Sequence, residues 1–591
     1  MKKKLSSFPL LWLICLGLCL PSCRSSEESS PHSLPSSVSS SQEAERLEYI
    51  RLEGGKATMA NASFSAEIDL TNGFLDIIRN KEGVPLKKKG VGSWPLSLFC
   101  DDERVSDFSL KSKNRVTSYC LEKDESLETL HLHYDELVDE EGRGLSIAYD
   151  ARFSVGEESH LVFSFALSLS EGAPRIDKVV CFGDGLAACD EEGWELTAPT
   201  WNGGQRWANP TENVYFRKGV TLSYPGPGQD SLEAGWLDLS SPHGGIGIGI
   251  INRKGMTNEF AIQSDGEQMS LANVLFEFSH ILGEDDDLFL LPGESFSSDD
   301  YILSIHEGDW HKTADDYRRH YEKAFADDFL NEATLSPKAK KGRYVYRAIA
   351  GWNTGTIEEH SLAAKSFADM EEELRNPTKD SVLSPDNGAD LESMLFWLTG
   401  QNTQGYAFDV PMMTPIIPES GGEAGLKSLT DFIHSQGASI YQYEHPFAVD
   451  PIRMEQESSG LLEKVDPGQH TEHWDACTHH SVCIDNSFMQ VFWTRNVLPP
   501  LVQTSPDGLM LDQCPLVQTA CGMDGHNHGH SAESRLSSHA KGLVALQREI
   551  RRQVGDGAFL VSEGANDILT RFVDVHQQCW HGNALWDGDL V

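Results

Sequence analysis

Between residues 344 and 563 the sequence alternates short, continuously apolar runs with amphipathic stretches. The runs are Tyr344–Ala350, Ser393–Thr399, Ala438–Glu444, Gly508–Asp512 and Ala558–Glu563, and helix-like periodicity fills 422–436, 486–502 and 535–554. A strand that is apolar on both faces must be covered on both, which suits a parallel sheet wrapped in helices and not an antiparallel sheet with one wet face. Polar residues close or closely follow several runs: Asn353, Glu444, Asp512 and Glu563. In a TIM-type (β/α) barrel such strand exits carry the functional groups. Five runs are clear, and a sixth strand is placed near Cys579–Asp587. Since a barrel needs eight, the expectation is a barrel over 343–591 that is truncated at its C-terminus.

Upstream the texture differs. Residues 47–305 carry many short alternating runs separated by glycine and proline, the pattern of an all-β sandwich. Phe64–Leu70 alternates, Thr71-Asn72-Gly73 turns, and Phe74–Ile78 returns, which signals a hairpin. Further strand runs fall at 129–135, 160–170, 246–251 and 273–279. No helical pattern follows Gly244–Gly249, so this glycine repeat reads as strand and not as a phosphate loop. Residues 306–342 read as a helical linker, with Trp310, Ala314, Tyr317 and Tyr321 on one face and Pro337 near its end. The expected fold class is multidomain: an N-terminal all-β sandwich followed by an α/β TIM-type barrel.

At the N-terminus, Lys2–Lys4 precede an apolar stretch, Phe8–Leu20, that is too short for a comfortable membrane span. Leu20-Pro21-Ser22-Cys23 resembles the lipobox of bacterial lipoproteins. That resemblance implies a signal peptide over 1–22 and lipid on the Cys23 sulfur; a plain secretory signal with a chance cysteine is the alternative. Residues 23–46 are Ser-rich and read as a flexible tether. The expected location is the cell envelope, with membrane contact through the lipid alone. The 48 basic and 90 acidic residues leave a formal charge of −42, which argues against nucleic acid and against docking on anionic lipid. Export permits disulfides; Cys477/Cys483 and Cys514/Cys521 are close enough to bridge locally, and free buried thiols fit equally well.

Two carboxylates stand out. Asp512 closes Gly508-Leu-Met-Leu after the turn Pro506-Asp507-Gly508, and Glu563 closes Phe559-Leu-Val-Ser. At neighbouring barrel exits they would suit a nucleophile and a general acid; each could instead be structural. Trp352, Trp397, Tyr443, His445, Trp580 and Trp586 lie near strand exits, where aromatic faces can stack on pyranose rings. Tyr443-Glu444-His445, Asp409 and Asp485 are candidates for substrate hydroxyls. His526, His528 and His530 alternate in a Gly-rich loop; they fit sugar contacts, with a metal site as the alternative. No cofactor is called for.

The segment IDNSFMQVFWTRNVLPPLVQTSPDGLMLDQ resembles the fourth-strand region of several glycoside hydrolase families. An Asp on the fourth strand and a Glu on the fifth is the arrangement of the α-amylase clan and of endo-α-N-acetylgalactosaminidases. From residue 47 the chain also resembles the uncharacterised bacterial DUF6259 group through FSAEIDLTNGFLDIIRNKEGVPL, Tyr224-Pro-Gly226, Trp310-x₃-Ala-x₂-Tyr-Arg318 and Gly421-Gly-Glu423. These resemblances imply a galactose-mutarotase-like sandwich joined to a retaining hydrolase of an α-linked oligo- or polysaccharide, with Asp512 as nucleophile and Glu563 as acid/base. Met510 stands where the α-amylase pattern has arginine, which weakens a starch-type reading. Two other functions stay open: a non-catalytic glycan-binding lipoprotein, and a metal-dependent hydrolase centred on the histidine loop.

Overall fold

The computed structural model describes residues 48–576 apart from 84, 88–95, 101–102, 108–111, 125, 183–186, 189–192, 201–203, 226–230, 277–289, 327–333, 352–363, 404–409, 413, 459, 461–470, 475–476, 513, 515–531 and 556. Cys23, Trp352, Asp409, His526, His528, His530, Trp580 and Trp586 lie outside the described residues, as do the signal peptide, the tether and the strand expected near 579–587.

Residues 50–306 form antiparallel sheets of five, ten and seven strands. The expected hairpin pairs Phe64–Asp69 with Leu75–Asn80, bulged at Glu67/Ile68. In the long pair Ile147–Gly156 and His160–Leu169, Ile147, Tyr149, Ala151, Phe153 and Val155 alternate into the core. That is the period of two expected of a sheet covered on one face. Gly244–Ile251 is a strand between Trp236–Ser241 and Asp300–His306. Its glycines serve helix α1, His311–Ala324. A side chain at Gly247 would collide with Thr313, and one at Gly249 would crowd Tyr317. The helix therefore lies directly on the strand backbone.

From 344 the sheet is parallel. Strands β1 (Tyr344–Ile349), β2 (Met394–Thr399), β3 (Ser439–Glu444), β4 (Gly508–Leu511), β5 (Phe559–Ser562) and β6 (Val575–His576) pair in chain order. β1 to β5 begin and end within one residue of the apolar runs. β2 to β5 are buried along their whole length, which is why their sequences do not alternate. Helices α2 (Phe367–Arg375) and α3 (Gly422–Ser435) cover one face, packing on Phe396, Leu398 and Ile440. The other face carries Trp397, Tyr441 and Phe559. Trp397 and Tyr441 stack at 6.2 Å, and Tyr441 meets Phe559 edge-on at 5.6 Å. Trp397 is thus interior packing in mid-strand and not a platform at a strand exit. After β3 the chain makes a small antiparallel sheet from Ala448–Val449, Thr471–Trp474 and Cys477–Ser481, an insertion the periodicity did not announce.

The amino ends of the strands are tied by two buried aspartates. The Asp507 carboxylate accepts the Ile440 N–H at 2.8 Å, His434 Nε2 at 2.9 Å and the Lys338 ammonium. Asp574 accepts the N–H groups of Ser336 and Leu560, each at 2.8 Å, and the Arg551 guanidinium. Cys483 and Cys514 are buried; Cys521 and the side chain of Cys477 lie outside the described residues.

Candidate active site

The carboxyl ends of β3, β4 and β5 bring several of the expected residues together. The register pairs Tyr443 with Met510 and Met510 with Val561. Beyond Leu511 the link to β3 continues, with the Asp512 N–H donating to the Glu444 carbonyl at 2.8 Å, while Glu563 directly follows the end of β5. The Tyr443 hydroxyl donates to Asp512 Oδ2 at 2.6 Å, and His445 Nε2 lies 3.9 Å from the same oxygen. Behind them, the backbone N–H groups of Glu563 and Gly564 donate to the Cys514 carbonyl at 2.8 and 3.3 Å. The chain leaving β4 is therefore clasped to the chain leaving β5. Asp512 keeps 14% of its side chain exposed and Glu563 is 9% exposed, enough for contact with a ligand while most of each group is shielded from water.

Glu444 belongs elsewhere. Its place in the pleat turns it to the opposite face, and it is fully buried. Neither carboxyl oxygen has a hydrogen-bond partner among the described residues, and burial pushes its pKa well above the ordinary value. The Glu444 side chain therefore stands apart from the Tyr443–Asp512 hydrogen bond, on the other side of the pleat. Asp485 is half-buried just before Asn486, whose side chain caps the helix Ser487–Phe492. No described contact joins Asp485 to Asp512. His576 on β6 adds a group that motif reading passed over: its Nδ1 lies 2.9 Å from Ser562 Oγ and 3.2 Å from the Gly564 carbonyl. A cavity of about 580 Å³ lined by Glu423, Lys427, Thr430, Arg453, Gln503 and Thr504 among others contains neither Asp512 nor Glu563.

The loop after Glu563 is held from the other half of the chain. Asn566 Nδ2 donates to the Leu232 carbonyl at 3.2 Å, and the Asp567 N–H donates to that of Glu233 at 3.0 Å. The Asp567 carboxylate accepts Tyr224 Oη at 2.9 Å and Tyr317 Oη at 2.5 Å. The Tyr321 hydroxyl donates to the Asp567 carbonyl. Burial raises the Asp567 pKa to about 6 despite the two tyrosine donors. A carboxyl whose pKa is raised on folding stabilises the fold fully below its unfolded value, and that contribution is lost as pH climbs through the folded value. Wild type should therefore lose stability relative to Asp567→Asn between pH 4 and pH 7, by on the order of 2 kcal/mol. Melting curves of both proteins across that range check it; parallel curves would refute it.

No protein-family profile matches the sequence, and no curated protein is significantly similar to it. Solved structures share its fold. The α-N-acetylgalactosaminidase NagBb from Bifidobacterium bifidum, in its GalNAc complex, superposes with a TM-score of 0.61 at 14% identity, covering 87% of this chain and 78% of that one. The GH36 α-galactosidase AgaB from Geobacillus stearothermophilus gives 0.54 at 10% identity, over 91% and 76%. AgaA from the same organism, a variant in complex with stachyose, gives 0.54 at 10%, over 88% and 74%. The chain therefore has a multidomain fold of the kind seen in α-glycosidases.

Proposed function

We propose that this protein is a retaining glycoside hydrolase acting on an α-linked galactose-type sugar, with Asp512 as nucleophile and Glu563 as acid/base. What supports the reading is that Asp512 and Glu563 directly follow two adjacent strands, β4 and β5, with Tyr443 donating to Asp512. Asp512 attacks the anomeric carbon while Glu563 gives its proton to the departing glycosidic oxygen; Glu563 then takes a proton from the water that releases the sugar. Double displacement of this kind works with carboxyl groups ~5–5.5 Å apart. The Tyr443 bond orients the attacking carboxylate. The parallel sheet is read as part of a (β/α) barrel, and the antiparallel sheets as a galactose-mutarotase-like sandwich. The substrate class is taken from the structural neighbours, an α-N-acetylgalactosaminidase and α-galactosidases.

A panel of nitrophenyl α- and β-glycosides, with the anomer of the first-formed product followed by NMR, tests the reading. Release from an α-galactoside or α-N-acetylgalactosaminide with retained configuration is expected. Inversion, or inertness towards the whole panel, would sink the proposal.

We further propose that lipid on Cys23 anchors the enzyme to the bacterial envelope through the Ser-rich segment 24–43. Radiolabelled palmitate should label wild type and not Cys23→Ala, and equal labelling of the two would refute the anchor.

A further inference from the structure

Two histidines and a glutamate meet where the antiparallel sheets touch α1. His160 opens the strand His160–Leu169, Glu158 stands in the turn before it, and His320 lies on α1. The two Nε2 atoms are 2.7 Å apart, with the rings edge-to-face at 82°. Glu158 Oε2 is 3.2 Å from His160 Nε2 and 3.6 Å from His320 Nε2. Ligand atoms about 2.0–2.1 Å from a tetrahedral zinc ion stand roughly 3.3 Å apart, so the three separations bracket that value. We propose that Glu158, His160 and His320 bind a zinc-class divalent transition ion that fastens α1 to the antiparallel sheets.

The chemistry of the donor set suits this, since a neutral imidazole donates a lone pair to a metal. Two nitrogens with one oxygen favour zinc over calcium or magnesium, which take oxygen ligands. Nearby charges are divided. Asp316 favours a cation, but its own carboxylate already accepts Ser159, Ser304 and Arg319, and Arg319 and Lys323 oppose one. His160 Nδ1 has no hydrogen-bond partner among the described residues, so the outer-shell acceptor that usually supports a metal-bound imidazole is missing. Such a loss costs roughly 10–100-fold in affinity, which sets the expected dissociation constant in the micromolar range. Without an ion, the two Nε2 atoms share a single hydrogen. The ion replaces that bond with three.

The position has a consequence for the candidate active site. α1 also carries Tyr317 and Tyr321, which hold Asp567 in the loop after Glu563. An ion on His320 adds an anchor one residue from Tyr321.

The test is titration of chelator-treated protein with zinc chloride alone, followed by calorimetry and by thermal melting. Wild type should bind one equivalent at this site and gain about 2–4 °C in Tm with zinc in excess. His320→Gln should lose both responses while its zinc-free Tm stays near that of wild type. The triple variant His526→Ala, His528→Ala, His530→Ala should keep both, because the histidine loop is the competing binder in this sequence. The proposal is overturned by no zinc response in wild type, by a full response in His320→Gln, or by a response that disappears with the loop histidines.

Discussion

Asp512→Asn is expected to lower turnover of an activated α-galactoside or α-N-acetylgalactosaminide by at least ~10³-fold, with its Tm within ~2 °C of wild type. The substitution keeps the shape of the side chain and one oxygen to accept the Tyr443 hydroxyl now bonded at 2.6 Å. It removes the negative charge that attacks carbon. A shorter replacement separates chemistry from folding: Asp512→Gly supplied with azide should regain turnover, with azide entering where the carboxylate stood and leaving as a β-glycosyl azide. Glu563→Gln should behave differently, slowing substrates with poor leaving groups far more than aryl glycosides, because only the former need the proton. Undiminished turnover in Asp512→Asn would refute Asp512 as the nucleophile.

The largest stability effect is expected far from Asp512, at the start of the same strand. Asp507→Ala should cost about 2–4 kcal/mol, read as a lower denaturant midpoint. Asp507 is 4% exposed and accepts from Ile440, His434 and Lys338 together. Removing it strands a buried backbone N–H, leaves the Lys338 ammonium without its counter-charge and leaves the His434 ring without its hydrogen-bond partner. Burial alone would raise its pKa, but the His434 and Lys338 bonds and the Ile440 N–H override that and hold it below the ordinary value. A carboxyl lowered in this way contributes its stability above its unfolded pKa and loses it as pH falls through the folded one. The gap between wild type and Asp507→Asn should therefore be full near pH 6 and close in acid below about pH 4. A gap that persists unchanged at pH 3 would show that charge is not what the site supplies.

Much of the parallel sheet could be read from the chain because each of its long strands is buried on both faces and so leaves an uninterrupted apolar run. β6 is two residues long, too short to leave a period, and the three-stranded insertion after β3 is made of pieces nearly as short. Glu444 was legible in principle: alternation along Ser439–Glu444 already puts it opposite Tyr443, and treating three consecutive residues as one cluster overlooked that. The exits at Asp512 and Glu563 stood out because a carboxylate ending an apolar strand is costly unless it is used or paired. The Asp567 contacts left no local trace. Tyr224 and Tyr317 are 343 and 250 residues away in sequence, and only the folded chain brings them together. The Glu158–His160–His320 cluster joins a strand start to a distant helix and was invisible for the same reason.

The hold on Asp567 bears on how such a molecule can be rebuilt. The parallel sheet does not carry a self-sufficient Glu563 loop, since the three hydroxyl groups that fix it, those of Tyr224, Tyr317 and Tyr321, come from elsewhere in the polypeptide. Grafting that sheet onto a foreign partner, or expressing it alone, would set the loop adrift unless equivalents of Tyr224, Tyr317 and Tyr321 travelled with it. Shuffling between relatives should for that reason succeed only when both halves are exchanged as a matched pair.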